Sequence, residues 1–277
     1  MKAPRLAQVA SYLALTVLAL LFLAPLAMML VGSLKPNERV LIEAGTFAAF
    51  LPIGASLDNY AAVFERTDFL RFLSNSVFIT GTIVAAGLVV NSLAAYAFAR
   101  LQWRGRDLAF NLVLALMILP FEAIAVPLFY GATILGLRDT YVAQILPFIA
   151  NAFSIYLFYS FFIGLPRELE EAASLDGAST LRIFFAVIVP NSKPAFASVA
   201  ILSFLTWWGS SLWPLLVTIG PEVRPLPVAI AGFYTLPPLQ WGDILAFGTM
   251  MVVPVLAVFL MFQRWFVRGV ASSAIKG

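Results

Sequence analysis

Few side chains in this sequence are equipped for bond-making chemistry. Its 277 residues include no Cys and no His, which excludes thiol nucleophiles, disulfides, imidazole bases and Cys or His metal ligands. We assign no catalytic residue and no metal ligand. The four lysines, Lys2, Lys35, Lys193 and Lys276, never follow a Gly, so the Gly-Lys-Ser/Thr loop that cradles nucleotide phosphates is missing. What remains is a small set of carboxylates. Glu122 is the one ionisable group deep inside an apolar run, between Pro120 and Pro127. A charge held near mid-bilayer costs about 2.5–3.5 kcal/mol on insertion scales, so such a group faces protein or water. The two prolines free backbone carbonyls that can line a cavity. Two roles are open to Glu122: a hydrogen-bond acceptor or gate in a solute pathway, or a protonated or interhelically bonded structural carboxyl.

Four more carboxylates cluster in Glu168-Leu169-Glu170-Glu171-Ala172-Ala173-Ser174-Leu175-Asp176-Gly177. Pro166 suits a first helical turn, where its missing N–H is no loss, and the three glutamates then lie near the positive end of the helix dipole. Leu169, Ala172, Ala173 and Asp176 share one face, and the Ala pair makes that face shallow enough for close approach by another protein. Gly177 accepts the left-handed conformation that ends many helices. A second helical piece, residues 180–189, carries Ile183, Phe184, Val187 and Ile188 on one side, with Pro190 closing it.

The elements that must hold these residues are membrane spans. Hydrophobic residues make up 62% of the chain and charged residues 11%, against roughly a quarter charged in a soluble domain, and the mean hydropathy is +0.95. Apolar runs predict six spans, near residues 9–31, 72–99, 109–130, 141–163, 194–221 (with its exit) and 244–263. The first is too long for a signal-peptide core of about 7–15 residues and reads as a retained span. Residues 35–71 form the longest polar segment and 222–243 a Pro-rich loop. Six spans put both termini on one side. If that side is cytoplasmic, eleven Lys and Arg lie inside and six outside, as the positive-inside rule asks. Arg100, Arg104 and Arg106 read as topology anchors. The 164–193 loop then faces the cytoplasm.

Glu171-Ala172-Ala173, Gly177 after three residues, and Val187 and Val189-Pro190 after nine more resemble the cytoplasmic docking loop of permease subunits in ATP-binding-cassette importers. Val stands where the family usually has Ile, and again where it has Leu. The likeness covers most of the chain. Asn59-Tyr60 and Asn75-Ser76 resemble the start of the second span in carbohydrate-importer permeases. Residues 94–101 with Gly105-Arg106 resemble its exit, and Gln263-Arg264 and Ala274-Ile275-Lys276-Gly277 the family's C-terminus. The pattern is similar to the six-span second permease of maltose-type transporters. One departure is the run Trp208-Gly209-Ser210-Ser211-Leu212-Trp213-Pro214, where those subunits often carry an amide and a carboxylate.

The resemblance implies an all-α, type I importer permease fold, a single domain over 1–277 with the docking loop at 164–193, in the bacterial cytoplasmic membrane. It implies a second homologous permease, two ATPase subunits that bind ATP and Mg, and an extracytoplasmic solute-binding protein as partners, with no nucleic acid. Glu171, Ala172, Ala173, Asp176 and Gly177 would dock the ATPase. Glu122, Trp208, Ser210 and Ser211 are the candidates for the solute pathway, although Trp207, Trp208 and Trp213 suit helix packing better than sugar stacking. A rival reading is a secondary carrier or channel for a small polar solute. It would need charged coupling residues in several spans, and only Glu122 qualifies. An intramembrane enzyme would lack any catalytic pair.

Overall fold

The computed structural model describes residues 5–235 and 237–274, so the resembled C-terminal residues Ile275, Lys276 and Gly277 lie outside it. Among the described residues all regular structure is helical, which lets each segment satisfy its own backbone in hydrocarbon. The order is α1 (Arg5–Ser33), α2 (Asn37–Glu43), a 3₁₀ turn (Phe47–Phe50), α3 (Asp58–Arg66), α4 (Phe69–Arg100), α5 (Arg106–Leu116) and α6 (Phe121–Ile134). Next come α7 (Tyr141–Ile149), α8 (Ala152–Phe162), α9 (Glu168–Leu175), α10 (Thr180–Ile183), a π-helical turn (Phe184–Ile188) and α11 (Val189–Asn191). The chain ends with α12 (Lys193–Trp208), α13 (Leu212–Val217), α14 (Leu226–Phe233) and α15 (Trp241–Ala274).

Among the described residues, four helical stretches are long and apolar enough to cross a bilayer: Gln8–Ser33, Phe69–Arg100, Tyr141–Phe162 and Trp241–Phe262. Two bent helix pairs are each a broken span or a re-entrant loop. Arg106–Leu116 and Phe121–Ile134 meet at 100°, and Thr180–Asn191 and Lys193–Trp208 at 81°. Counting each bent pair once gives six, the number read from the apolar runs. The contacts group the chain into two compact units, residues 1–70 with 229–254 and residues 71–228 with 255–277.

In the first unit, α1 leaves apolar side chains exposed all round, from Tyr12 and Leu13 to Phe22 and Leu30; a helix of that kind sits in lipid or against another apolar surface. Gly32 permits close approach to α15, since a Cβ there would meet the Leu245 side chain at 2.5 Å. The segment after α1, expected as a polar connection, is instead folded around a buried lysine. Lys35 Nζ donates to Glu43 Oε2 at 2.6 Å and to the Ala48 carbonyl. Asn59 Nδ2 donates to the carbonyls of Ser33 and Lys35, at 2.8 and 2.7 Å. Asn59-Tyr60, picked out by resemblance, thus stitches α3 to the end of α1, and the Tyr60 hydroxyl lies 2.7 Å from Ser33 Oγ.

In the second unit, Asn91 repairs a break in the fourth span. Ile149 ends α7 and Ala152 starts α8, so the backbone between them lacks helical partners. Asn91 Nδ2 donates to the Ile149 carbonyl at 3.0 Å, and Asn91 Oδ1 accepts from the Asn151 N–H at 2.8 Å. A polar side chain doing this inside an apolar bundle is the arrangement a broken span requires. The 222–243 region, expected as a loop, contains α14, whose Leu226 and Phe233 are buried. Its Pro225 and Pro227 flank the helix start, where proline is at home.

Candidate functional site

The docking loop forms two short helical pieces joined at Gly177. α9 starts at Glu168, with Pro166 just ahead of it rather than in its first turn. The Arg167 carbonyl accepts from the Glu170 and Glu171 N–H groups at 2.9 and 3.1 Å. At its end Gly177 has φ +79°. Its N–H reaches the Ser174 carbonyl and the Ala178 N–H reaches the Ala173 carbonyl, both at 3.0 Å. This pair of bonds is the glycine-closed helix terminus expected from the sequence. Beyond it, the Ser179 side chain caps α10 by accepting from the Arg182 N–H. The helix then widens into a π turn over 184–188. Pro190 has no N–H to give the Ala186 carbonyl, and Asn191 Nδ2 occupies the Val187 carbonyl at 2.7 Å. The helix ends at Asn191, past Pro190, and the 81° bend follows at Ser192.

These pieces have an outer and an inner side. Glu171, Ala172, Asp176 and Gly177 are exposed and Ala173 is half-buried. Ala173, Asp176, Ala178, Arg182 and Ala186 line an open groove of about 220 Å³. Leu175 is 89% exposed, and Leu181 and Phe185 are more than half exposed. On the inner side, Ile183 is buried, and Phe184 and Ile188 are buried in a core with Phe158, Phe162 and Val199.

The inner side also carries a polar clamp that sequence reading missed. Arg100, the last residue of α4, is 4% exposed, and its Nε lies 3.1 Å from Glu170 Oε1. The two face each other as an ion pair without hydrogen-bond alignment. Arg100 Nη2 donates to the Leu165 carbonyl, just past α8, and to the Phe162 carbonyl, which also accepts from the Leu165 N–H. The Tyr96 hydroxyl donates to Glu170 Oε2 at 3.3 Å, and the Tyr96 ring packs against Phe184 at 5.2 Å. The Arg100 charge suits the C-terminus of α4 and the Glu170 charge the first turn of α9. The only signal in the sequence was the basic residue closing a span, and that reads equally as a topology anchor.

The pathway candidates lie at two helix breaks. Glu122 is exposed in the first turn of α6, directly after the 100° bend. Ser210 is half-buried and Ser211 exposed in the gap between α12 and α13. Trp208 is buried, stacked on Phe204 at 5.3 Å. Trp207 packs on Phe148 at 4.2 Å, and Trp213 is buried with Nε1 donating to the Ala143 carbonyl at 2.9 Å. The three tryptophans are thus packed within the bundle. Phe121, beside Glu122, packs edge-on against Trp213 at 6.1 Å, so the two breaks belong to one neighbourhood. No group of three or more His, Cys, Asp or Glu side chains suited to a metal occurs among the described residues.

Broken apolar spans and an exposed helical loop with no reactive constellation are the features of a membrane transport component. The family described as "binding-protein-dependent transport system inner membrane component" matches residues 84–272. The arabinooligosaccharide transport system permease protein AraQ of Halalkalibacterium halodurans is 34% identical over 94% of this chain and 93% of its own length. The lactose transport system permease protein LacG of Rhizobium radiobacter is 30% identical over 97% of each. The trehalose/maltose transport system permease protein MalG of Thermococcus litoralis is 33% identical over 80% of this chain and 82% of its own. Among solved structures, a chain of a bacterial ABC transporter involved in alginate import superposes with a TM-score of 0.83 at 25% identity, covering 96% of this chain and 99% of that one. The chain belongs to the family of binding-protein-dependent transport system inner membrane components. It is a multi-pass permease subunit of an ATP-binding-cassette importer.

Proposed function

We propose that this subunit forms half of a sugar translocation pathway in the bacterial cytoplasmic membrane, with both termini and α9 on the cytoplasmic side. A second permease completes the pathway, an extracytoplasmic protein delivers the solute, and two separate ATPase subunits hold the ATP and Mg and press on α9. The observation that carries this reading is the two-sided character of α9. Its outer side offers small and acidic residues, Ala172, Ala173, Glu171 and Asp176, beside an open groove, while Glu170 on its inner side is held by the bundle. Exposed apolar residues rimmed by charge, here Leu175 and Leu181 beside Arg182, mark interaction surfaces. The carbohydrate class follows from relatives named for arabinooligosaccharides, lactose and trehalose/maltose.

The test places Trp at Ala172 in the complete importer. The position is exposed, so insertion and abundance stay normal, while solute uptake is lost and the ATPases release more readily on purification. Normal uptake by Ala172→Trp, or labelling of Ala172→Cys from the outer side of intact cells, would overturn the reading.

A further inference from the structure

The docking helix is connected to its neighbours by two short non-helical joints. Ahead of it, residues 163–167 form turns around the exposed Gly164. Behind it, Gly177 holds a left-handed conformation. Each joint is closed by backbone hydrogen bonds of its own, and a direct link from α9 to the bundle needs a side chain that reaches across. The Arg100 clamp does so. A single guanidinium binds Glu170 of α9 and the Phe162 and Leu165 carbonyls at the end of α8. Tyr96 binds the other oxygen of Glu170 and packs on Phe184 of the second helical piece. Both side chains come from the last two turns of α4. The planar guanidinium of Arg is always charged and presents several donors in a rigid fork, which suits one group that meets a carboxylate and two carbonyls.

Resting on the docking reading above, we infer that Arg100 and Tyr96 are positioning residues that make α4 the lever of transport: displacement of α9 reaches the bundle through Glu170 and not through the connecting backbone. The same helix is fixed at its far end. Asn75 Nδ2 donates to the carbonyls of Glu222 and Arg224, both at 2.9 Å, and the Leu226 N–H donates to Ser76 Oγ at 2.8 Å. About 25 residues separate Asn75 from Arg100, roughly 37 Å of helix at 1.5 Å per residue. A shift at the docking loop is therefore delivered to the 222–226 segment by one rigid element.

The experiment reconstitutes the complete importer in proteoliposomes and measures solute imported per ATP hydrolysed. Arg100→Ala and Glu170→Gln each lower that ratio by about 2- to 30-fold, the range of single coupling residues, while hydrolysis stimulated by the binding protein continues. The double variant Arg100→Ala/Glu170→Gln is no worse than the poorer single one, because both act through one contact. A merely structural role would lower assembled complex, hydrolysis and uptake together and leave the ratio unchanged, and that result would overturn the inference. So would strictly multiplicative losses in the double variant. If Arg100→Ala fails to assemble, Tyr96→Phe, which removes only one hydroxyl, gives the same reading: a lowered ratio supports the lever and an unchanged one removes it. Ala172→Trp in the same preparation separates the two ideas. Uncoupling by Ala172→Trp with a normal ratio in the clamp variants defeats the lever alone; normal uptake by Ala172→Trp defeats the docking reading itself.

Discussion

The carboxylate of Asp243, with no exposed surface, is held by the guanidinium of Arg66, 177 residues earlier in the chain. Asn37 Nδ2 donates to its other oxygen at 3.3 Å. Arg66 also donates to the Pro238 carbonyl at 3.1 Å and lies over the Phe233 ring at 5.3 Å. Breaking a buried pair by deleting one partner costs about 3–5 kcal/mol, because the other charge is left uncompensated. Asp243 is the more deeply buried partner, with Arg66 at 21% exposure. Arg66→Ala, which strands the carboxylate, is therefore more damaging than Asp243→Ala, which leaves a guanidinium that water can reach. Thermal unfolding of the detergent-purified protein ranks the two, and the reverse order would contradict this account.

Gly177 gives a backbone prediction free of packing. A Cβ placed there meets nothing within 4 Å, so any penalty comes from its positive φ. A β-branched residue in that conformation costs about 1–2 kcal/mol, whereas Asn tolerates it. Gly177→Val should shift the end of α9 and abolish uptake at normal abundance, and Gly177→Asn should retain most of it. Uptake rates normalised to membrane-inserted protein decide the point, and equal rates would exclude a role for the helix terminus.

The contrast between Gly177 and Arg100 shows what the sequence discloses. Gly177 was legible because a helix terminus is local: the residue type, its place after an apolar face and the bonds it closes all lie within a few positions. The six apolar runs were legible for the same reason, since bilayer thickness fixes their length. Arg100 was not. Its partners Phe162, Leu165 and Glu170 lie more than 60 positions away, and a basic residue at a span's end satisfies the charge rule whatever it touches. The interior of the polar segment 35–71 was not legible either, since only the fold brings Glu43 and the Ala48 carbonyl round the Lys35 ammonium. The break at Leu116–Phe121 was foreshadowed by Pro120, but its 100° angle was not.

Asn75 tests the N-terminal end of α4. Besides its two carbonyl partners, its Oδ1 accepts from the Tyr141 hydroxyl at 2.6 Å, and the residue is 3% exposed. Asn75→Leu keeps the volume but leaves the Glu222 and Arg224 carbonyls and the Tyr141 hydroxyl without this partner. Each buried unsatisfied group costs about 1–3 kcal/mol. The variant should unfold at a lower temperature and expose residues 222–226 to limited proteolysis, while Tyr141→Phe, which removes one bond of the three, should show a smaller shift in the same direction. An Asn75→Leu protein as stable and as protease-resistant as the parent would mean that these bonds do not anchor the segment.

Glu122 is the remaining ionisable group in the middle of an apolar pair of helices, and the two roles left open by the sequence predict different behaviour. It is exposed in the first turn of α6, where the helix dipole favours a carboxylate, and no ion pair to it occurs among the described residues. As an acceptor for solute hydroxyls, Glu122 would meet the solute through its carboxylate; as a structural carboxyl, it would not. Hydrogen bonds to charged groups contribute about 1.5–3 kcal/mol against 0.5–1.5 for neutral ones, so exchanging carboxylate for amide removes on the order of 1 kcal/mol from each contact with a passing solute, roughly a fivefold change in rate. Glu122→Gln should therefore insert and assemble normally and lower initial uptake several-fold, with ATP hydrolysis stimulated by the binding protein retained. Uptake measured over a range of solute concentrations reads this directly, and a curve superimposable on the parent's would remove Glu122 from the pathway and leave the Gly209–Ser211 break as the polar feature to test next.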